Sequence, residues 1–201
     1  MKDIENFKKE KLTVNLVWAN VFGFLILVPI SVVYITPYYF LWNDDSGLAS
    51  KLTGMKAQEV AFGGIYVLVA LVLGIIIHEL IHGITWARFA KNGFKSIKFG
   101  ILWKMLTPYC HCMEPLKVKD YIKGAIMPAI VLGFVPAVLA IVTGHLGLLA
   151  FGIFFTMAAS GDFLIINLIR KENMEDMVQD HPSEVGCYIY RREERSAEVG
   201  K

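Results

Sequence analysis

His78 and His82 flank the turn that carries Glu79 in the run Ile75-Ile76-Ile77-His78-Glu79-Leu80-Ile81-His82-Gly83. On a helix, residues four apart share a face, so the two imidazoles can hold one zinc ion between them. The pattern is H-E-x-x-H, and its glutamate stands next to the first histidine. Glu79 can therefore take a proton from a water attacking a carbonyl and pass it to the leaving nitrogen. The plainer alternative is two satisfied core histidines beside a stray glutamate. Burying a glutamate without a partner is costly, which argues against it. The setting adds to the argument, because Ala61 to Ile77 carries no charged residue. Ionisable groups inside so apolar a helix are usually functional.

Two histidines do not complete a catalytic zinc site, which ordinarily has three protein ligands and a water. Asp162, in Ala159-Ser160-Gly161-Asp162-Phe163, is the leading third candidate, as the only charged residue of its apolar stretch. It lies eight residues before Arg170, about 12 Å of helix, and His78 lies ten residues before Arg88, about 15 Å. The three groups are thus expected at similar depth. Cys110, His111, Cys112 and Glu114 compete for the role or for an accessory metal role in Tyr109-Cys110-His111-Cys112-Met113-Glu114-Pro115-Leu116. Alternation along an extended segment puts Cys110 and Cys112 on one face and His111 on the other. Positioning of substrate, or a structural role at the mouth of the site, is the simpler expectation for this segment.

These groups need elements to carry them. The chain has 201 residues, 55% hydrophobic and 19% charged, an apolar balance for a soluble domain. No Asp, Glu, Lys or Arg occurs in 12–43, 62–77 or 124–161. Runs of about twenty such residues are candidate membrane spans. The reading is an all-α integral membrane protein with four transmembrane helices, about 12–39, 57–90, 122–142 and 148–169. Pro29 and Pro37 bend or end the first, and Pro128 and Pro136 either kink the third, opening a path to the motif, or mark packed bends in it. Residues 1–11 form a polar N-terminal segment, 12–170 the membrane domain and 171–201 a polar tail with one small strand at Cys187-Tyr188-Ile189-Tyr190. Between helices two and three, 94–104 alternates partly with period two and predicts a strand or hairpin. Asn43-Asp44-Asp45-Ser46-Gly47 reads as a solvated turn.

Lysine and arginine placement sets the orientation. Arg88, Lys91, Lys95, Lys98, Lys104, Lys117, Lys119 and Lys123 crowd one loop, whereas 41–56 holds Lys51 and Lys56. Both termini and the 88–123 loop are therefore expected in the cytoplasm of a multi-pass cell-membrane protein. The formal net charge of +2 is explained by this topology and implies no nucleic-acid partner; lipid is the expected surrounding. Three cysteines make no disulfide framework. Nothing in the sequence specifies an oligomeric state.

His78-Glu79-Leu80-Ile81-His82-Gly83 in one apolar helix, with Ser160-Gly161-Asp162 in a later one, resembles the zincin peptidases of bacterial membranes, related in plan to the site-2 proteases. The segment from Tyr109 to Leu116 is similar to that family's middle region, and the resemblance covers about residues 10–170. It implies zinc held by His78, His82 and Asp162, Glu79 as the base, and intramembrane proteolysis of a transmembrane or membrane-adjacent protein or peptide. One departure is that glycine precedes the aspartate here, without the Asn-Pro and Leu-Asp-Gly setting of the site-2 proteases. Two rival functions fit the same residues: a non-catalytic metal-binding membrane protein acting as sensor or partner, and a membrane hydrolase of a non-peptide amide. A metal transporter fits less well, since the chain shows no inverted repeat.

Overall fold

Most of each charge-free run is helix. The computed structural model describes residues 7–42, 57–103, 107–181 and 186–192. Outside the described residues lie the expected solvated turn at Asn43–Gly47, the rest of 43–56, and residues 1–6, 104–106, 182–185 and 193–201. Helix α1 spans Leu16–Trp42 and keeps both Pro29 and Pro37 inside it. Helix α2 spans Ala57–Ala87 and carries the histidines. The third rod is continuous from Val118 to Thr143. It is built from α3 (Val118–Pro128), a π-helical turn (Ala129–Phe134) and α4 (Val135–Thr143). Pro128 and Pro136 cannot donate to the helical ladder. The wider turn between them, in which the Val135 N–H bonds the carbonyl of Ile130, absorbs the disturbance.

The segment expected as one helix over 148–169 is two. Helix α5 (Leu146–Ala158) and helix α6 (Ser160–Ile169) meet at Ala159 with a bend of 42°. Three helices are long and apolar enough to cross a membrane, and the bent pair makes a fourth if it counts as one span. Their outward faces are apolar: Phe24, Phe40 and Tyr66 are each more than 70% exposed, as side chains meeting lipid would be.

The molecule is mostly helical but holds more β structure than the all-α reading expected. Strands β2 (Ile97–Leu102) and β3 (Thr107–Cys112) form the expected hairpin, antiparallel from Ile97 opposite Cys112 to Leu102 opposite Thr107. A second, four-stranded sheet was not foreseen. Its strands are β1 (Phe7–Thr13), β4 (Leu116–Lys117), β5 (Met177–Asp180) and β6 (Gly186–Arg192), in the order β1-β6-β5-β4, antiparallel throughout. The strand expected at 187–190 is part of β6. The N-terminal segment, expected as a polar lead into the first helix, is β1, which pairs with β6 from Phe7 opposite Arg192 to Thr13 opposite Gly186. Arg191 pins the arrangement, donating to Glu172 at 2.6 and 2.8 Å and to Glu10 on β1.

Two cores result. Tyr34, Ala137, Ala140 and Leu149 hold α1, α4 and α5 together at one end. At the other end Trp86, Cys110, Cys112, Leu116, Val118, Tyr121, Ile169, Val178, Cys187 and Ile189 form a single buried cluster. Helix ends, hairpin and sheet are thus packed into one body, and the histidines of α2 stand at its edge.

Candidate metal centre

Helix α2 presents His78 and His82 on one face, as their spacing requires. The bend at Ala159 brings the start of α6 against that face, with Asp162 in its first turn, where the helix dipole favours a carboxylate. The three side chains converge. His82 Nε2 lies 3.2 Å from His78 Nε2. Asp162 Oδ2 lies 3.3 Å from His78 Nε2, and its Oδ1 lies 3.3 Å from His82 Nε2. Among the described residues this is the only group of three such ligands.

The spacing tests whether a metal fits. Ligands of a tetrahedral zinc at about 2.0–2.1 Å stand about 3.3–3.4 Å from one another; the two Nε2 atoms are 3.2 Å apart, and each lies 3.3 Å from a different oxygen of Asp162. The chemistry of the donors agrees. The Nδ1–H of His82 donates to the Gly124 carbonyl at 2.9 Å, which leaves the Nε2 lone pair pointing at Asp162 and His78. A hydrogen bond of this kind fixes the tautomer of a ligating histidine. His78 has no such support, and its Nδ1 is buried without a partner among the described residues. A single proton shared among two ring nitrogens and a carboxylate satisfies only part of this set; a divalent cation satisfies all of it. The side chains of His78 and His82 are 10% and 5% exposed and that of Asp162 is 22%, so the centre opens on the aspartate's side.

The sequence explains why Gly124 is free to accept. Within α3 the carbonyl of residue 124 would bond the N–H of residue 128, and residue 128 is proline, which has none. Gly124 also permits the close approach. A Cβ at that position would lie 1.9 Å from Trp86 Nε1. The indole needs that space, because it stacks on His82 at 4.9 Å and 14° while donating to the Tyr121 carbonyl at 3.0 Å. Gly124→Ala should therefore push Trp86 aside. Overpacking of this kind costs about 1–3 kcal/mol, and loss of the group that orients a ligand weakens metal binding by roughly 10–100-fold. Thermal melting and a zinc titration of the variant check both.

Glu79 is half-buried. It lies within electrostatic range of His82, His78 and Asp162, and its helix packs against strand β3. Strand β3 thus borders the centre. Its hairpin is seated on α2 at Gly83, where a Cβ would meet the Phe99 ring at 2.5 Å.

The structure does not bring Cys110, His111, Cys112 or Glu114 into the ligand group. Cys110 and Cys112 share a face and are buried, while His111 packs its ring on Tyr109 at 4.4 Å, as the alternation expected. Burial pushes the Cys112 thiol up to about 11 and the Cys187 thiol up to about 12, and raises that of Cys110 further. Burial lowers His111, keeping its ring neutral. Glu114 accepts the Lys91 N–H at 2.8 Å and the side-chain amide of Asn92, and so closes the turn after α2. The sequence reading missed Trp86, Tyr121, Gly124 and Asp180. Only the pairing of a glycine with a proline four residues later offered a local signal.

A family described as putative zincin peptidase matches residues 71–176, more than half of the chain. No curated protein and no solved structure matches it.

Proposed function

The chain belongs to the putative zincin peptidase family, whose cofactor is zinc, and on that premise we propose that it is a membrane endopeptidase using Glu79 as general base. Its substrates are peptide bonds within or next to the membrane, in a transmembrane or membrane-adjacent protein. The observation that carries the reading is the triangle of His78, His82 and Asp162, with separations of 3.2–3.3 Å, beside a glutamate in the position of a base. These three residues would hold the ion. Zinc supplies Lewis-acid chemistry there, acidifying water and polarising a carbonyl.

The chain's own residues do the rest. Glu79 takes the proton of the attacking water and returns it to the leaving amine nitrogen. His82 is kept in its ligating tautomer by Gly124. The peptide bonds of a helix are internally hydrogen-bonded, so a substrate helix must unwind before attack. The β2–β3 hairpin, which packs against the helix that carries Glu79, offers an edge on which an extended segment can be held by strand addition. The apolar helices support a multi-pass location in the cell membrane. Antiparallel pairing of β1 with β6 supports both ends of the chain lying on one side, and the positive loop assigns that side to the cytoplasm.

The test uses purified protein in detergent with a library of quenched fluorescent peptides. Cleavage that stops with a zinc chelator and returns with added zinc is the expected result. A chain that holds zinc yet cleaves no extended peptide would be a non-catalytic metal-binding protein instead.

A further inference from the structure

Asp180 is the group in which the two sides of the metal centre meet. It ends β5, opposite Cys187 on β6, and lies outside the segment that the family shares. Its Oδ2 accepts the Cys112 N–H at 2.8 Å, and its Oδ1 accepts the Tyr121 O–H. Those bonds lead in two directions. Cys112 is on β3, the strand packed against the helix that carries Glu79. Tyr121 stacks on Trp86 at 5.1 Å and 24°, and Trp86 stacks on His82 at 4.9 Å and 14°. The column His82–Trp86–Tyr121 therefore ends on one oxygen of Asp180, and the strand packed against the helix of Glu79 hangs on the other.

We propose that Asp180 is a positioning residue for the metal centre, clamping strand β3 and the Tyr121–Trp86–His82 column to a single carboxylate so that Glu79 and His82 keep a fixed relation. The inference rests on the zinc-peptidase reading and adds to it a part supplied by the four-stranded sheet. A carboxylate suits the task because both of its oxygens only accept, and the two groups to be tied, an N–H and an O–H, both donate. Each stacking contact is individually modest. A ligand ring held by stacking and one hydrogen bond is displaced when the far end of its column is released. Groups hydrogen-bonded directly to a metal ligand typically change metal affinity by roughly 10–100-fold when removed, and Asp180 acts on His82 through Tyr121 and Trp86.

The experiment uses the full chain with metal ions alone. Zinc affinity is read by competition with a chelator, and the geometry at the centre by the visible absorption bands of bound cobalt(II). Asp180→Ala is expected to weaken zinc by roughly 10-fold, the lower end of that range, and to shift the cobalt bands. Tyr121→Phe keeps the ring but loses the O–H. It is expected to give a smaller shift of the same kind, and it carries the test if Asp180→Ala does not fold. The double variant is expected to be no worse than Asp180→Ala, because Asp180→Ala already releases the Tyr121 O–H. Arg191→Ala weakens the same sheet at Glu10 and Glu172 without touching the clamp. It is expected to lower the melting temperature and leave the cobalt bands in place. Bands and affinity unchanged in both clamp variants, or shifted equally by Arg191→Ala, would overturn the inference and leave the peptidase reading standing. Failure of the unaltered protein to bind either metal would overturn both.

Discussion

Glu79→Gln protein should keep about one zinc per chain and lose peptide hydrolysis by roughly 10²- to 10⁴-fold, the usual contribution of a positioned general base. Glutamine has nearly the same shape as glutamate. The change removes the ability to take a proton and little else. None of the three metal-facing groups is altered, since His78, His82 and Asp162 meet one another directly. The loss should therefore fall on the turnover number, with KM for a given peptide little changed. Metal analysis and initial rates on the same preparation separate the two effects. A variant that still turns over at the original rate would remove Glu79 from the chemistry and assign the proton to another group.

The second large effect is expected at Asp162. Replacing it with alanine removes one corner of the triangle and leaves two imidazoles, which among the described residues belong to no other three-ligand group. Zinc content should drop from about one per chain to near zero on dialysis, and affinity should fall by at least about 100-fold, more than removal of an outer hydrogen-bond partner produces. His82→Ala should behave in the same way. Asp162→Asn should be intermediate, because the amide oxygen can still face the histidines but brings no charge. Had the ligand come from the 110–114 segment, zinc would survive the loss of Asp162. The placement of that segment argues otherwise, with Glu114 committed to Lys91 and Asn92 and the cysteines buried as neutral thiols. Elemental analysis after exhaustive dialysis decides between the two.

The triangle was legible in the sequence because charge inside an apolar helix is expensive. His78, Glu79, His82 and Asp162 stood out against long uncharged runs, and helix rise placed them at one depth. The hairpin was legible from its period-two alternation, and part of β6 from Cys187 to Tyr190. The other strands of the four-stranded sheet were not, for a physical reason. Strand β1 is a short, lysine-rich stretch whose partner lies almost the whole chain away, and β5 is four residues in a polar tail. Neither carries a local signature of pairing. Asp180 was hidden for the same reason: a carboxylate between polar neighbours looks solvated until a fold buries it. Trp86 carried no signal because its stacking partners, His82 and Tyr121, come from two different helices. The bend at Ala159 also left no mark, since alanine and serine fit a straight helix equally well. Pro128 was visible as a disturbance of its helix, but its use in freeing the Gly124 carbonyl depends on a histidine more than forty residues earlier.

The pairing of Phe7 with Arg192 bears on how the protein is made. A ribosome adds about 5–20 residues per second, so β1 must wait roughly 10–40 s for its partner to be synthesised. During that interval the histidine helix and Asp162 have already emerged, while the strand that carries Asp180 is among the later parts to arrive. The nascent chain therefore passes through a stage in which the ligands exist but their support does not. Completion of the four-stranded sheet therefore waits for the last strand to be made, however early its first strand emerges.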